Sequence, residues 1–314
     1  MKESDIIFLS PVFKERIWGG STIKNMFKEG VPSGKIGEAW IISAHHHGSS
    51  KIMGGLFDGM SLDALYHSHP ELFGDITESR FPLLTKILDA ADQLSVQVHP
   101  SDAYAKAFED DLGKEECWYV LAANQDSTLV LGHHAQTKTE LKKMVEENRW
   151  NELLDIRPIR KGDFVYIPAG TIHAIGAGVI ILETQQSSDV TYRFYDYDRM
   201  DPSTGEKRAL QVQKSIDTAV IPANRVVIQH YDDDRGIYRM LETKYFTVEK
   251  WNIDKGYFKI NAKNRYYLCT VLSGNAMING SKIKMYDSFI IPSLAKSIKI
   301  EGMVELLVSY VGDR

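Results

Sequence analysis

Three short stretches of this sequence combine residue types able to hold a metal ion. The first is the run LSVQVHP at 94–100. Side chains alternate along a strand, which sets Leu94, Val96 and Val98 on one face and Ser95, Gln97 and His99 on the other. The second is ECWYVL, in which Glu116, Trp118 and Val120 share a face. A carboxylate beside Trp and Val would be half-buried, and a buried carboxylate needs a cation or hydrogen-bond donors. The third is GDFVYIPAGTIHAIG, of the form G-x5-P-x-G-x2-H from Gly162 through Pro168 and Gly170 to His173. It reads as a turn, a strand, a Pro/Gly turn and a histidine projecting from the next strand. Gln97, His99, Glu116 and His173 can thus line one barrel interior. Two imidazoles, a carboxylate and an amide oxygen with one open position suit a catalytic Zn²⁺, although the same set accepts Fe²⁺, Mn²⁺ or Co²⁺.

The elements that must position these residues are mostly strands. LSVQVH, CWYVLA, STLVLG, DFVYIP, VIILET and VTYRFYDY are β-rich runs punctuated by Gly, Pro, Asn or Asp. YFTVEKWNI, YFKINA, YYLCTVL, NAMIN, SFIIPS and VELLVSYV follow, with turns such as SGN and NGS between them. Closely spaced strands of this kind predict a mainly β fold of antiparallel sandwiches or barrels. Three helical segments decorate it as insertions: SLDALYHSHPELFG from the N-cap Ser61, SDAYAKAFE from Ser101, and TELKKMVEENRW from Thr139. The third carries Leu141, Met144, Val145 and Asn148 at helical spacing. The segment 221–240 mixes Pro, Gly and the acidic triplet Asp232–Asp234, read as a solvated loop. It suggests a boundary between a domain at 1–240 and a smaller all-β domain at 241–314.

Composition narrows the function classes. The chain has 314 residues and a net charge of −5, with 43% hydrophobic and 25% charged residues. That is ample for a core and unlike a disordered chain. A mildly acidic balance argues against a nucleic-acid partner. No stretch approaches the roughly 20 apolar residues of a membrane span, and MKESDIIFLSPVF lacks the pattern of a signal peptide. Two cysteines, Cys117 and Cys269, make no disulfide framework, so a cytoplasmic protein with reduced thiols is expected.

The G-x5-P-x-G-x2-H run resembles the second motif of the cupin superfamily. The longer strings RIWGG, GEAWIIS, PLLTKILDAADQLSVQVHP, GKEECWYV, LGHHAQT, PAGTIHAIG and SSDVTYRFYDYDR resemble type I mannose-6-phosphate isomerases in their short bacterial form. The likeness runs from about residue 8 to residue 200, more weakly into the C-terminal block. It implies a cupin (jelly-roll) barrel with helical insertions, followed by a second, degenerate cupin-like barrel. It also implies one Zn²⁺ per chain and interconversion of mannose 6-phosphate and fructose 6-phosphate through an enediolate. The family's metal pattern falls on Gln97, His99, Glu116 and His173. Ala177 stands where a generic cupin has Asn, which this family accommodates.

The resemblance also brings out three cations. Lys114, two residues before Glu116, takes a catalytic role in proton transfer. Arg193, four residues after Asp189 in DVTYRFY, takes a catalytic and phosphate-binding role, its fixed charge suited to an enediolate. Lys86, in the apolar PLLTKILDA, takes a phosphate or substrate contact. The base stays open among Lys114, a zinc-bound hydroxide and Glu183. Outside the resemblance, Lys114 reads as a loop lysine beside Gly113. His45–His46–His47 resembles a purification tag but is internal, and reads as a loop near a pocket rim. His67 and His69 lie in a helix interrupted by Pro70, and His133 and His134 follow a β run. Trp18-Gly19-Gly20 reads as a tight turn, while Tyr192, Tyr195 and Tyr197 stay ambiguous. The rivals are another metal-dependent cupin enzyme, such as an iron dioxygenase, and a non-catalytic sugar-binding cupin. The phosphosugar would be the only partner, bound by a monomer or weak homodimer. SFIIPSLAKSIKIEG keeps the Pro but has no histidine, so no metal is expected at 241–314.

Overall fold

The structure is a computed structural model that describes residues 6–74, 78–202, 204–231, 236–254, 257–261 and 265–311. The triplet Asp232–Asp234 lies outside the described residues. The chain separates into two compact units, each assembled from segments distant in sequence. One holds residues 13–38 and 87–230; the other holds residues 1–12, 39–86 and 231–314. The last crossing, at Tyr231, falls inside the Pro- and Gly-bearing segment 221–240.

The first unit is built on antiparallel sheets. A five-stranded sheet runs in spatial order Leu154–Pro158, Thr128–His133, His173–Ile175, Val96–Val98 and Tyr192–Tyr195. A second sheet sets Ile228–His230, Asp163–Ile167, Glu116–Ala123 and Val179–Gln186 side by side. One apolar cluster takes Leu129, Leu131 and Ile175 from the first and Trp118, Val120, Val165, Ile167 and Ile181 from the second. The two sheets therefore face each other across it, as a sandwich or flattened barrel requires. The opposite face of the five-stranded sheet presents Val96, Val98, Val130, Ala174 and Phe194. It is covered by Leu141 and Met144 of the helix Lys138–Glu146, Leu153 of Trp150–Leu153 and Ile216 of Val212–Thr218. The helices are thus insertions on a β framework.

Local chemistry explains where several elements begin. Ser61 Oγ accepts from the Ala64 N–H at 3.2 Å and caps the helix Leu62–Ser68. Thr137, rather than a residue at 139, caps Lys138–Glu146 by accepting from the Glu140 N–H at 3.1 Å. Asn148 lies beyond that helix in the left-handed region, with φ of 55°, a conformation Asn tolerates. Ser101 makes no side-chain cap; Asp102 Oδ1 accepts instead from the Gly113 N–H at 2.9 Å. Leu94 does not share a face with Val96 and Val98. The regular strand starts at Val96, and Leu94 joins the inner cluster while its N–H donates to the Ile175 carbonyl. Trp18-Gly19-Gly20 is not a tight turn but the end of the strand Val12–Gly20, with Trp18 in the core. A Cβ on Gly19 would lie 2.5 Å from the Gly37 nitrogen, so only glycine permits that approach.

The second unit carries a nine-stranded antiparallel sheet. Its main path runs Gly236–Glu242, Phe246–Ile253, Ser297–Val311, Tyr267–Ile278, Ser288–Ile291, Ile7–Ser10 and Lys51–Met53. The C-terminal β block thus completes its sheet with strands from the start of the chain. An apolar cluster in it runs from Trp251, Val271, Phe289 and Ile291 to Leu306 and Val308.

Candidate metal centre

Strand register gathers the predicted residues. On the five-stranded sheet His173 lies opposite Gln97, and Gln97 lies opposite Arg193. Directly opposed residues project from the same face, so these three form one row across adjacent strands. On the facing sheet Glu116 opens its strand between Ile167 and Gln185. The Pro/Gly turn delivers His173: Gly170 adopts φ of +81° and donates its N–H to the His99 carbonyl at 2.8 Å. A side chain there would meet the Thr218 carbonyl at 2.9 Å, so the motif's glycine is required by both conformation and space.

His99, Glu116 and His173 bring their ligand atoms within 4.8 Å of one another, all three buried. Glu116 Oε2 is 3.4 Å from His99 Nε2, and its Oε1 is 3.4 Å from His173 Nε2. Gln97 Nε2 stands 3.3 Å from His173 Nε2. Both imidazoles are oriented from behind: His99 Nδ1 donates to the Val190 carbonyl at 2.9 Å and His173 Nδ1 to the Thr171 carbonyl at 2.8 Å. Since a carbonyl can only accept, each Nδ1 carries the proton and each Nε2 lone pair points inward. That is the arrangement metal-binding histidines use.

Electrostatics agree. Burial, reinforced by the Lys114 charge, lowers His99, and burial pushes His173 down to about 3 against the pull of Glu116. Both rings are therefore neutral near pH 7. Burial alone would raise Glu116, but the Lys114 ammonium together with His99 and His173 outweighs it and holds the carboxyl well below its usual range. Glu116 Oε1 is buried with no hydrogen-bond partner. Two neutral imidazoles, a fully buried carboxylate with an unused oxygen and an adjacent amide fit a divalent cation. The half-turn that exchanges the Gln97 amide nitrogen for its oxygen would supply a fourth donor.

Lys114 sits just before its strand, its N–H bonded to the Pro100 carbonyl at 3.0 Å. Its ammonium, 4% exposed, donates to Glu116 Oε2 and, at 2.9 Å, to His99 Nε2. It therefore meets the two atoms a metal would take. Arg193 Nη1 donates to the Ala209 carbonyl at 2.9 Å, while its buried Nε has no partner. The charges acting on it include Arg208, Asp196 and Arg199, and Asp189 precedes its strand. Burial first, then Arg208, lowers its affinity for the proton. Lys86 is buried in the second unit, its ammonium 5.0 Å from the centre of the Trp40 ring.

Sequence reasoning missed two supports. Trp118 packs its edge on His173, centroids 5.4 Å apart at 74°, and its indole N–H donates to Glu183 at 3.0 Å. It was read only as an apolar neighbour of Glu116. Asp196 accepts from Arg208 at 2.5 and 2.7 Å and from Arg199 at 2.5 Å, anchoring the arginines around Arg193. The string FYDYDR shows Asp196 and Arg199, but nothing local points to Arg208. His133 is engaged structurally, through the Val220 carbonyl at 3.1 Å. Tyr195 stacks on Trp150 at 4.3 Å, and Tyr192 donates to Glu109 at 2.7 Å.

Known proteins match this chain over nearly all its length. Residues 6–132 match the type I phosphomannose isomerase catalytic domain, and residues 237–311 match the mannose-6-phosphate isomerase cupin domain. A mannose-6-phosphate isomerase of Streptococcus mutans is 44% identical, covering 97% of this chain and 98% of that protein. One from Bacillus subtilis is 42% identical with the same coverage. The crystal structure of a Bacillus subtilis mannose 6-phosphate isomerase superposes with a TM-score of 0.90 at 39% identity, covering 97% of this chain and 99% of that one.

Proposed function

The chain belongs to the type I phosphomannose isomerase family and is an isomerase of mannose 6-phosphate, and we propose that it works with one Zn²⁺ held by His99, Glu116, His173 and Gln97. The observation that carries this reading is the buried pair of inward-facing Nε2 atoms flanking Glu116. When bound, the zinc supplies a Lewis acid for the sugar's carbonyl and hydroxyl oxygens. We assign the metal to the 1–240 region; among the described residues at 241–314 no group of three ligand side chains gathers.

The chain's own groups supply the rest. Isomerisation moves one proton between C2 and C1 and another between O1 and O2, and negative charge builds on the two oxygens. Lys114, already bonded to two of the ligands, stands where it can hold or pass a proton beside them. Arg193 keeps a fixed positive charge on the row that carries Gln97 and His173, and its unpartnered Nε is a donor for developing charge or a phosphate oxygen. Glu183, opposite Trp118 on the inner face and accepting from its indole at 3.0 Å, is an alternative base. A contact from Lys86 to the substrate phosphate rests on the family likeness. Burial of the ligands limits water beside the reacting carbons. We place the enzyme in the cytoplasm, as a monomer or weak homodimer; no described helix is long and apolar enough to cross a membrane.

The test is a coupled assay on mannose 6-phosphate before chelation, after it and after zinc add-back. Activity should fall as metal leaves and return with zinc. Turnover that persists in protein shown to be metal-free would overturn the reading.

A further inference from the structure

Outside that centre, one further group of metal-capable side chains among the described residues is assigned to nothing. His45, His46 and His47 bring one ring nitrogen each within 4.8 Å of one another. They are not a loose loop. Ala44–His45 and Gly48–Ser49 form a two-stranded hairpin, Ala44 opposite Ser49 and His45 opposite Gly48, which leaves His46 and His47 as its two turn residues. The base is pinned: the Ser50 N–H donates to the Ser43 carbonyl at 2.7 Å, and Ser43 Oγ donates to the Gly48 carbonyl at 2.5 Å. The same hydroxyl accepts from the His45 N–H at 3.2 Å. The three rings are mutual neighbours, with centroids 4.3, 4.9 and 4.0 Å apart. His45 is buried and held edge-on by Trp40 at 5.7 Å, whereas His46 and His47 are exposed.

This geometry carries chemistry. The His45 ring is buried, and its Nδ1 faces the turn, accepting from the His47 N–H at 3.2 Å. That length is at the limit of a hydrogen bond and is readily exchanged for a stronger ligand interaction. The two exposed rings can adjust to bring their nitrogens about 2 Å from a common ion. An all-imidazole set with no carboxylate suits borderline transition cations and disfavours Mg²⁺ and Ca²⁺, which take oxygen.

We propose that the His45–His46–His47 hairpin is a second, surface site for a divalent transition cation of the zinc, nickel or copper class. The probe is Ni²⁺. Full-length protein and an H46N/H47N variant, whose asparagines suit turn positions, are equilibrated with micromolar Ni²⁺ and their total bound metal is measured. The wild type should hold one equivalent more than the variant, whatever the buried cluster holds, and excess Mg²⁺ should leave that difference intact. Broadening by Ni²⁺ should reach the ring signals of all three histidines, including buried His45. Equal uptake by both proteins, displacement by Mg²⁺, or broadening that spares His45 would overturn the proposal.

Discussion

The two units place different side chains on the inner rows of their β-sheets. In the first, strands that supply Trp118, Val120 and Ile181 to an apolar cluster also carry buried Glu116, Glu183 and Gln185. In the second, the strand Ser288–Ile291 runs into Pro292 as Asp163–Ile167 runs into Pro168, but no histidine follows. Residues 241–314 contain no histidine at all, and their single cysteine, Cys269, is buried in the apolar core. Each unit also buries a tryptophan whose indole donates to a glutamate: Trp118 to Glu183 at 3.0 Å, and Trp251 to Glu249 at 2.8 Å. The motif is shared, but only the first sits against an imidazole with an inward lone pair. Similar architecture therefore does not share chemistry; the side chains on the inner rows decide it.

The comparison breaks most directly at the ligands. H99A/H173A should lose the bound metal and at least about 10³-fold in turnover, since Lewis-acid assistance is worth several kcal/mol. Far-UV circular dichroism should stay close to wild type, and C269S should leave metal content unchanged. Metal retained by the double variant would place the ion elsewhere. Next comes Lys114. K114M should keep its metal, because the four donors remain, while kcat drops by roughly 10²–10⁴-fold, the span of general acid–base catalysis. A kcat near wild type would remove Lys114 from the mechanism.

How far all this was legible in the sequence follows from the range of the physics. Period-two alternation and a Gly/Pro turn are local, so the strands bearing Gln97, His99, Glu116 and His173 could be read directly, and the structure brings these residues together. Lys114 precedes its strand, so alternation says nothing of its aim, and only the family likeness raised it. Spacing relates Arg193 only to Asp189, four residues before it, and cannot show that Asp196, Arg199 and Arg208 act on it, the last from fifteen residues further on. Unit membership was hidden for the same reason. Pairing of Ile7–Ser10 with Ser288–Ile291 joins the two ends of the chain and leaves no periodic trace in either.

A milder test deletes the same group from both units. W118F and W251F each remove an indole N–H from a glutamate; W118F should cost about 1–3 kcal/mol of stability by leaving buried Glu183 short of a donor, and W251F should cost less, because half-buried Glu249 keeps its bond from the Tyr310 hydroxyl at 2.7 Å. Only W118F should also lower kcat, because Trp118 positions Glu183 and packs against His173. A fall in kcat for W251F with none for W118F would invert the roles assigned to the two interiors.

The smallest effects oppose each other in pH. In the second unit His67 bonds the carbonyls of Asp63 at 2.8 Å and Ser79 at 3.1 Å, and these two acceptors raise it above its ordinary 6.5. The folded state then holds the proton more tightly than the unfolded one. Its stabilisation is complete below pH 6.5 and is lost as pH rises through the folded value. In the first unit burial would raise Asp196, but hydrogen bonds from Arg208 and Arg199 outweigh it and lower the carboxyl below 3.8. Here the unfolded state binds the proton more tightly, so the contribution is complete above pH 3.8 and fades as pH falls through the folded value. Melting temperatures across pH should show H67A converging on wild type above neutrality and D196N converging on it in acid. The Asp196 effect should be the larger, because its side chain is 4% exposed and that of His67 is 53% exposed. Convergence in the opposite direction for either variant would mean that its charged partners are not those seen in the structure.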